Sequence, residues 1–299
     1  MTGRLKNVRT PELEIAYEED GHLDGWPVVL SHGFPYDARA YDQVIPFLTA
    51  KNARVIRPYL RGFGQSRFLK AETMRSGQQT ALARDIVHLM DALGIEKAVL
   101  AGYDWGGLAS CVASLLWPGR VTGLVSLASY DVIDVSAGGQ PCPPSLENVL
   151  WYQHYFQTAR GRDGLRQDRR GLCRILWDQW SPGWSFDDDV FERTAASFDT
   201  PDFVDVVIHH YRWAFGLSEG DASLSELEDR IARRPAISVP AVTLDGTLDP
   251  LKPGGTSQHA AMFNGPRDHR SFDVGHNLPQ EAPEDFADAV LSVFRMAEG

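Results

Sequence analysis

One short stretch of the 299-residue chain constrains its fold more than any other. The apolar run at residues 98–101 predicts a buried strand, and residues 105–117 predict a helix that is apolar on most sides. Only the segment GYDWGG at 102–107 lies between them. Its glycines allow a sharp bend and a close approach of strand and helix. The side chain of Asp104 is therefore expected to project from the C-terminal edge of a sheet.

Strands and helices alternate around this turn. We predict further strands at residues 13–17, 26–30, 54–56 and 124–127, and a helix over about 82–93 that Gly94 ends. Leu13–Tyr17 alternates apolar and polar residues, which favours a strand with one face in water. The alternation of elements indicates an α/β fold with a mostly parallel central sheet flanked by helices.

The pattern changes after about residue 134. The segment GGQPCPP at 138–144 is typical of a linker, and the chain from there to about 235 is helical and aromatic in character. Strand character returns at 237–244 and near 271–274, and a final helix is predicted over about 283–295. We therefore predict a discontinuous core of residues 1–133 and 236–299, interrupted by an inserted helical cap of residues 134–235.

Composition and charge exclude several classes of function. A net charge of −11 argues against binding to nucleic acid or to anionic membranes. The longest apolar stretch, at 105–117, is shorter than the ~18–20 residues that cross a bilayer. Met1–Thr10 lacks the apolar segment of a signal peptide. The three cysteines, Cys111, Cys142 and Cys173, have no metal-binding spacing, and free thiols favour a cytoplasmic protein without a metal. The arginine-rich stretch 160–174 is typical of a solvated helix face.

An aspartate at the centre of the turn narrows the chemistry. A carboxylate with a reference pKa of about 3.9 is ionised at pH 7 and needs no base to become a nucleophile. Attack on an acyl carbon would give a labile anhydride, whereas attack on an sp3 carbon gives an alkyl ester. Asp104 therefore predicts displacement at carbon, followed by hydrolysis of the enzyme ester. The alternative is that Asp104 only caps the N-terminus of the helix.

Hydrolysis of such an ester needs a base and a group that orients it. His276 lies in a loop after the last predicted strand, and Asp249 follows the preceding strand. The order Asp104, Asp249, His276 is that of an α/β-hydrolase triad, with the histidine activating water and the acid fixing its tautomer. Asp245 competes for the acid role, but it sits at the strand end rather than in the loop, which favours Asp249.

The loop after the first buried strand predicts an oxyanion hole. In this type of fold the donors are backbone N–H groups, one just after a His-Gly pair and one just after the nucleophile. In this chain those positions are Phe34 and Trp105. His32 is expected to be structural, bonding neighbouring loops.

Five motifs together resemble the α/β-hydrolase-fold epoxide hydrolases, with the haloalkane dehalogenases as close relatives. They are HGFP at 32–35, RGFGQS at 61–66, GYDWGG at 102–107, DGTLDP at 245–250 and GHNLPQEAPEDF at 275–286. Two positions depart from the family pattern: Tyr103 replaces a histidine and Tyr59 replaces an aspartate. The resemblance implies a cofactor-independent hydrolase with no metal, and a small, largely apolar epoxide and water as its reactants. A monomer or homodimer is expected.

The leaving group separates the two branches of this family. An epoxide opens to a basic alkoxide, which in the family receives a proton from two cap tyrosines. The resemblance of WYQHYFQ at 151–157 maps the first onto Tyr152, and a shorter match at 210–212 maps the second onto Tyr211; Tyr155 is a plausible substitute for either. A halide needs only N–H donors, and Phe34 stands where one dehalogenase arrangement has an asparagine. A haloalkane or haloacid dehalogenase is therefore the alternative, and a non-catalytic sensor of small molecules is a further one.

Aromatic residues are expected to line an apolar tunnel above the nucleophile. The candidates for substrate binding are Trp105, Phe34, Trp151, Tyr155, Trp177 and Trp213. The alternative for the cap aromatics is a packed core without contact to substrate.

Overall fold

The computed structural model describes residues 4–299, and within that range the strands form one nine-stranded sheet. The strands are β1 (Arg4–Arg9), β2 (Leu13–Asp20), β3 (Trp26–Ser31), β4 (Ala53–Pro58), β5 (Arg67–Phe68), β6 (Ala98–Gly102), β7 (Val121–Leu127), β8 (Ala241–Gly246) and β9 (Arg267–Phe272). Part of the segment considered for a signal peptide, residues 1–3, lies outside the described residues. The predicted fold class, an α/β-hydrolase fold with a mostly parallel sheet, is confirmed.

The strand order is β1-β2-β4-β3-β6-β7-β8-β9, and β5 pairs with β2. All pairs from β4 to β9 along this order are parallel, and only the pairs that involve β2 are antiparallel. The expectation of a wet face on β2 was wrong, because Ala16 and Glu18, which share the face of Glu14, are buried.

Two strands were not predicted from the sequence, and two begin at other residues than expected, since β8 begins at Ala241 rather than at residue 237. β1 (RLKNVR) and β5 (RF) are too polar or too short for an apolar alternation to reveal them. β9 was expected near 271–274 but begins at Arg267, because this half-buried edge strand carries mainly charged and polar side chains.

Twelve α-helices accompany the sheet within the described part of the chain. They are α1 (Ile45–Thr49), α2 (Gln79–Ala92), α3 (Asp104–Leu116), α4 (Pro144–Val149), α5 (Trp151–Phe156), α6 (Ala159–Gln167), α7 (Arg169–Trp180), α8 (Asp188–Ala195), α9 (Phe203–Ala214), α10 (Ser225–Ala232), α11 (Leu278–Glu281) and α12 (Pro283–Glu298). None of the helices described in residues 4–299 is long and apolar enough to span a bilayer. Four of the six arginines of α6 and α7, Arg162, Arg166, Arg170 and Arg174, form ion pairs with acidic neighbours, as expected for a solvated face.

The register of the parallel strands brings the loops after β3, β6, β8 and β9 to one edge. β3 pairs with β6 in parallel, and Ser31 is opposite Gly102, so the loops after both strands begin side by side. β8 and β9 are parallel to β7 and end at the same edge. Loops at the carboxyl ends of parallel strands are where such sheets place ligand sites.

Helices α4–α10 lie between β7 and β8 in the chain and contact the loops of the sheet at several points. The indole N–H of Trp177 donates to the carbonyl of Pro35 at 2.8 Å, and the Ser197 hydroxyl donates to buried Asp37 at 2.6 Å. On these contacts we propose residues 134–235 as a cap domain seated on the C-terminal edge of the sheet.

Candidate active site

The turn between β6 and α3 holds Asp104 in a strained backbone conformation. Its φ of +50° lies in the left-handed region, which is uncommon for a residue other than glycine and is often found at functional sites. Gly106 allows the turn, because a Cβ there would lie 1.8 Å from the carbonyl oxygen of Ser31. Gly33 is equally constrained, since its Cβ would lie 2.4 Å from the Asp104 Cβ. Gly33 and Gly106 therefore allow the loop after β3 to pack directly against Asp104.

The two carboxylate oxygens of Asp104 have different neighbours. The backbone N–H of Phe34 donates to Oδ1 at 2.6 Å. Oδ2 lies 3.6 Å from Nε2 of His276. The backbone N–H of Trp105 belongs to the first turn of α3, whose amides have no acceptor within the helix. The carboxylate is thus held by one oxygen and open at the other.

His276 is paired with Asp249 on its far side. Nδ1 of His276 lies 2.8 Å from Oδ2 of Asp249, and both side chains are buried. The other oxygen of Asp249 accepts from the N–H of Leu251 at 2.8 Å. Asp245 lies elsewhere, because its carboxylate accepts two hydrogen bonds from Thr256. The structure therefore brings Asp249, and not Asp245, to the histidine.

Burial alone would lower the pKa of His276. The charges of Asp249 and Asp104, and the hydrogen bonds to them, outweigh burial and raise the pKa to about 10. At neutral pH the imidazole is therefore protonated and lies between two carboxylates.

The loop that carries His276 is fixed through its backbone. Its own N–H donates to the carbonyl of Trp180, the last residue of α7, at 2.9 Å. The N–H groups of the residues on either side, Gly275 and Asn277, donate to Glu281 at 2.8 and 3.0 Å. Ser181 donates its hydroxyl to the same carboxylate at 2.6 Å. Three consecutive amides are thus held by one carboxylate and the end of one helix.

A cavity of about 760 Å³ opens above Asp104. Asp104, Trp105 and His276 form part of its wall, together with Tyr152 and Tyr211. The two tyrosine rings are perpendicular, with centroids 5.2 Å apart, and both are buried. Burial, aided by the charge of Asp104, raises the pKa of each phenol, so both are neutral hydroxyl groups at pH 7.

Several predicted binding residues lie outside this cavity. Phe34 packs against Trp105 at 5.6 Å, behind the cavity wall. The other four lie in the proposed cap, in contacts away from the cavity. The indole N–H of Trp151 donates to Gln179, and the hydroxyl of Tyr155 lies beside Gly164. Trp177 stacks on Tyr36, and Trp213 is buried on α9. The structure does not bring these four side chains to the cavity, and Tyr155 does not join Tyr152 and Tyr211 there.

His32 bridges two loops, as expected. Its Nδ1 donates to the carbonyl of Gly33 at 2.9 Å, and its Nε2 accepts from the N–H of Leu60 at 3.1 Å. Burial lowers its pKa to about 4, so the ring is neutral.

A family model described as alpha/beta hydrolase fold matches residues 27–278, most of the chain. The chain belongs to the alpha/beta hydrolase fold family. The prediction of an α/β-fold hydrolase is confirmed.

Proteins similar to this hydrolase include both epoxide hydrolases and a haloalkane dehalogenase. A crystal structure of a protein from Klebsiella pneumoniae, named provisionally as an epoxide hydrolase, is 44% identical, covers 98% of this chain and 97% of that one, and has a TM-score of 0.96. Epoxide hydrolase A of Mycobacterium tuberculosis is 28% identical over 97% of this chain and 96% of its own length. A haloalkane dehalogenase of Psychrobacter cryohalolentis is 38% identical, but over only 32% of this chain and 31% of its own length. The resemblance to epoxide hydrolases, with dehalogenases as relatives, is confirmed.

Three side chains of the hydrolase site were not singled out from the sequence. Trp180 contacts the His276 ring at 5.3 Å, and His210 contacts the Trp105 ring at 4.2 Å. Asp131 lines the cavity, lies 3.8 Å from Lys252, and has a pKa raised by burial. His210 could have been noticed in the sequence because it directly precedes Tyr211, near the end of a helix with an apolar face.

The side chains around Asp104 do not resemble the ligands of a metal site. Within residues 4–299, no group of three or more histidine, cysteine or acidic side chains is arranged to hold a metal ion. The acidic groups nearest Asp104 are engaged by His276 and by Lys252.

Proposed function

We propose that the chain is an epoxide hydrolase that converts an epoxide to a vicinal diol through an ester on Asp104. One observation carries the proposal: Asp104 lines a cavity together with two tyrosines, Tyr152 and Tyr211, whose hydroxyl groups are neutral at pH 7. A nucleophile on one side and two O–H donors on the other are what epoxide opening requires. The names of the similar proteins from K. pneumoniae and M. tuberculosis support the same assignment.

In the first half-reaction, Oδ2 of Asp104 attacks one epoxide carbon. The new ester C–O bond forms as the epoxide C–O bond breaks, and the electron pair of that bond moves to the epoxide oxygen. Tyr152 and Tyr211 donate hydrogen bonds to this oxygen, and one of them transfers its proton to the alkoxide. Their raised pKa values keep both groups protonated before the reaction.

In the second half-reaction, His276 removes a proton from water, and the water oxygen attacks the ester carbonyl carbon. Esterification removes the negative charge of Asp104, which is one of the two charges that raise the pKa of His276. The imidazolium therefore loses its proton more readily once the ester exists, and the tyrosinate left by the first half-reaction takes up a proton, so that the base is generated at the step that needs it. Asp249 orients the ring, and the N–H groups of Phe34 and Trp105 stabilise the oxyanion that forms on Oδ1, the ester carbonyl oxygen. As the intermediate collapses, the bond from the Asp104 carbonyl carbon to Oδ2 breaks, the imidazolium protonates the departing diol oxygen, and the carboxylic acid of Asp104 returns its proton to His276.

The test is turnover of a panel of small aryl and alkyl epoxides, followed by mass spectrometry of His276→Gln with the best substrate. We expect a diol from the wild type and, from the variant, a protein whose mass has increased by that of the epoxide, with the adduct on Asp104. Halide release from haloalkanes with no diol from any epoxide would contradict the proposal. Reversible binding without an adduct in the variant would instead favour a sensor.

A second function, removal of halide from a haloalkane, is favoured by one observation. The indole N–H groups of Trp105 and Trp180 are both buried without a hydrogen-bond partner in the described structure. Two such donors near the nucleophile could hold a departing halide, which needs no proton. A haloacid fits less well, because no arginine is among the cavity-lining residues described and Lys252 already pairs with Asp131.

A further inference from the structure

His210 presents a hydrogen-bond acceptor to the cavity that the proposed reaction does not use. The residue lies near the end of α9, directly before Tyr211, and its side chain forms part of the cavity wall. Its ring packs on Trp105 with centroids 4.2 Å apart and contacts the Tyr211 ring at 4.9 Å. The imidazole is thus fixed between two of the side chains that surround Asp104.

The backbone of Gly77 determines the tautomer of this ring. Nδ1 of His210 lies 2.7 Å from the Gly77 carbonyl oxygen, which can only accept, so Nδ1 carries the hydrogen. Burial lowers the pKa of His210 to about 4, so the ring is neutral at pH 7. Nε2 therefore carries a lone pair. No donor from the described part of the chain reaches it, and it is open to the cavity rather than enclosed.

The aromatic side chains packed around His210 in the cavity wall carry hydrogen-bond donors. Tyr152 and Tyr211 supply hydroxyl groups, and Trp105 supplies an indole N–H. These suit the epoxide oxygen or another acceptor. Nε2 of His210 is a neutral acceptor in aromatic surroundings, so its complement is an uncharged donor group.

We propose that Nε2 of His210 accepts a hydrogen bond from a hydroxyl group that the substrate carries beside its epoxide ring. This inference rests on the proposed function, because it specifies which epoxides the same site takes. A hydrocarbon epoxide of equal size would enclose Nε2 without a partner, and sites built around a substrate hydroxyl discriminate against analogues that lack it. The preferred substrate class is therefore hydroxy-epoxides.

The experiment compares two epoxides that differ only at the relevant group: 3-phenylglycidol, and the analogue in which an ethyl group replaces the hydroxymethyl group. For the wild type we expect kcat/KM to be about five- to tenfold higher for the alcohol, mainly through KM, which matches the worth of one neutral hydrogen bond. Two variants remove Nε2 in different ways. His210→Phe keeps the aromatic packing on Trp105, and His210→Asn keeps a donor for the Gly77 carbonyl. In either folded variant the ratio of the two kcat/KM values should fall to about one, whatever the absolute rates are.

A neighbouring histidine provides the matched control. His209 accepts from the N–H of Gly77 at 3.0 Å and is not part of the cavity wall, so His209→Asn should retain the preference. Equal kcat/KM values of the wild type for the two epoxides would overturn the inference, and so would a preference that survives in both His210 variants.

Failure of the proposed function would look different, since the wild type would then convert neither epoxide. Binding of the unreactive 3-phenylpropan-1-ol, followed by tryptophan fluorescence, decides the inference in that case. We expect its Kd to rise about five- to tenfold in the His210 variants and to be unchanged in His209→Asn. An unchanged Kd in the His210 variants would overturn the inference whether or not epoxides are substrates.

Discussion

The backbone carbonyl of Trp180 accepts a hydrogen bond from the backbone N–H of His276 at 2.9 Å. Trp180 ends a helix of the proposed cap, and His276 is the proposed base in a loop of the sheet. The two rings also contact each other, with centroids 5.3 Å apart. Any displacement of the end of α7 therefore moves the histidine, so the position of the cap and the geometry of the base are mechanically linked.

Glu281 extends this link, and its removal should slow the second half-reaction selectively. Glu281→Ala releases the N–H groups of Gly275 and Asn277 and the hydroxyl of Ser181 from one carboxylate. We expect hydrolysis of the ester to slow about tenfold or more, because small misplacements of a catalytic group have large effects on rate. Alkylation of Asp104 should change little. Rapid-quench measurement of both steps checks this, with the exposed Glu284→Ala as control. Equal slowing of both steps would indicate a general loss of structure instead.

Asp249→Asn should trap the ester, whereas Asp245→Asn should not. The first substitution removes the charge that pairs with Nδ1 of His276 at 2.8 Å, and we expect hydrolysis to slow by about 10²–10⁴. The second substitution disturbs the contacts of Asp245 with Thr256 and His269, away from His276, so it should lower the melting temperature more than it slows hydrolysis. Intact-protein mass spectrometry during turnover distinguishes the two. Ester accumulation in Asp245→Asn alone would reverse the assignment.

How far the sequence predicts this site depends on what kind of contact fixes each residue. The Asp104 turn is a motif of consecutive residues, and the triad is recognised by the order of its members along the chain, so a single sequence can reveal both. The structure brings Asp104, His276 and Asp249 together as the sequence suggested. Trp180 and His210 reach the site because α7 and α9 pack against the loops of the sheet. That packing cannot be predicted from a single sequence. Trp177, the candidate chosen from the sequence, lies one turn before Trp180 on α7, and its indole N–H donates to the carbonyl of Pro35.

Tyr152→Phe and Tyr211→Phe should each slow epoxide opening. The loss of rate should be specific to a leaving group that must accept a proton, such as the epoxide oxygen. Both tyrosines line the cavity that Asp104 also lines, and in the proposed reaction each donates its hydroxyl hydrogen to the epoxide oxygen. We expect each variant to alkylate Asp104 about 10- to 100-fold more slowly, and the double variant to be nearly inactive. Both variants should also bind an unreactive amide analogue more weakly than the wild type does, because its carbonyl oxygen accepts from the same hydroxyl groups. Stopped-flow tryptophan fluorescence measures alkylation, and full activity of the double variant on epoxides would exclude the tyrosines as donors.

Gly106→Ala should destabilise the fold and not merely lower activity. The added Cβ would lie 1.8 Å from the Ser31 carbonyl oxygen, which is backbone and cannot move without shifting β3. Overpacking of this kind destabilises proteins by about 1–3 kcal/mol or more. Urea denaturation followed by circular dichroism measures the change. Gly119→Ala is the control, because a Cβ at that glycine meets no atom within 4 Å. Equal midpoints for the two variants would contradict the close approach.

Removal of the Asp104 charge should lower the pKa of His276. In the wild type the pKa is raised to about 10, above its ordinary value of 6.5, so the imidazolium stabilises the folded state below pH 6.5 and that contribution is lost as pH rises toward 10. Asp104→Asn keeps the shape of the side chain but removes one of the two carboxylates, and we expect the pKa to fall by about 1–3 units. Titration of the ring nitrogens by NMR measures both values directly. The same fall is expected when Asp104 is esterified, so hydrolysis of the ester should reach its maximal rate at a pH well below 10. An unchanged pKa in Asp104→Asn would show that Asp249 alone sets the charge of His276, and would remove the argument that ester formation generates the base.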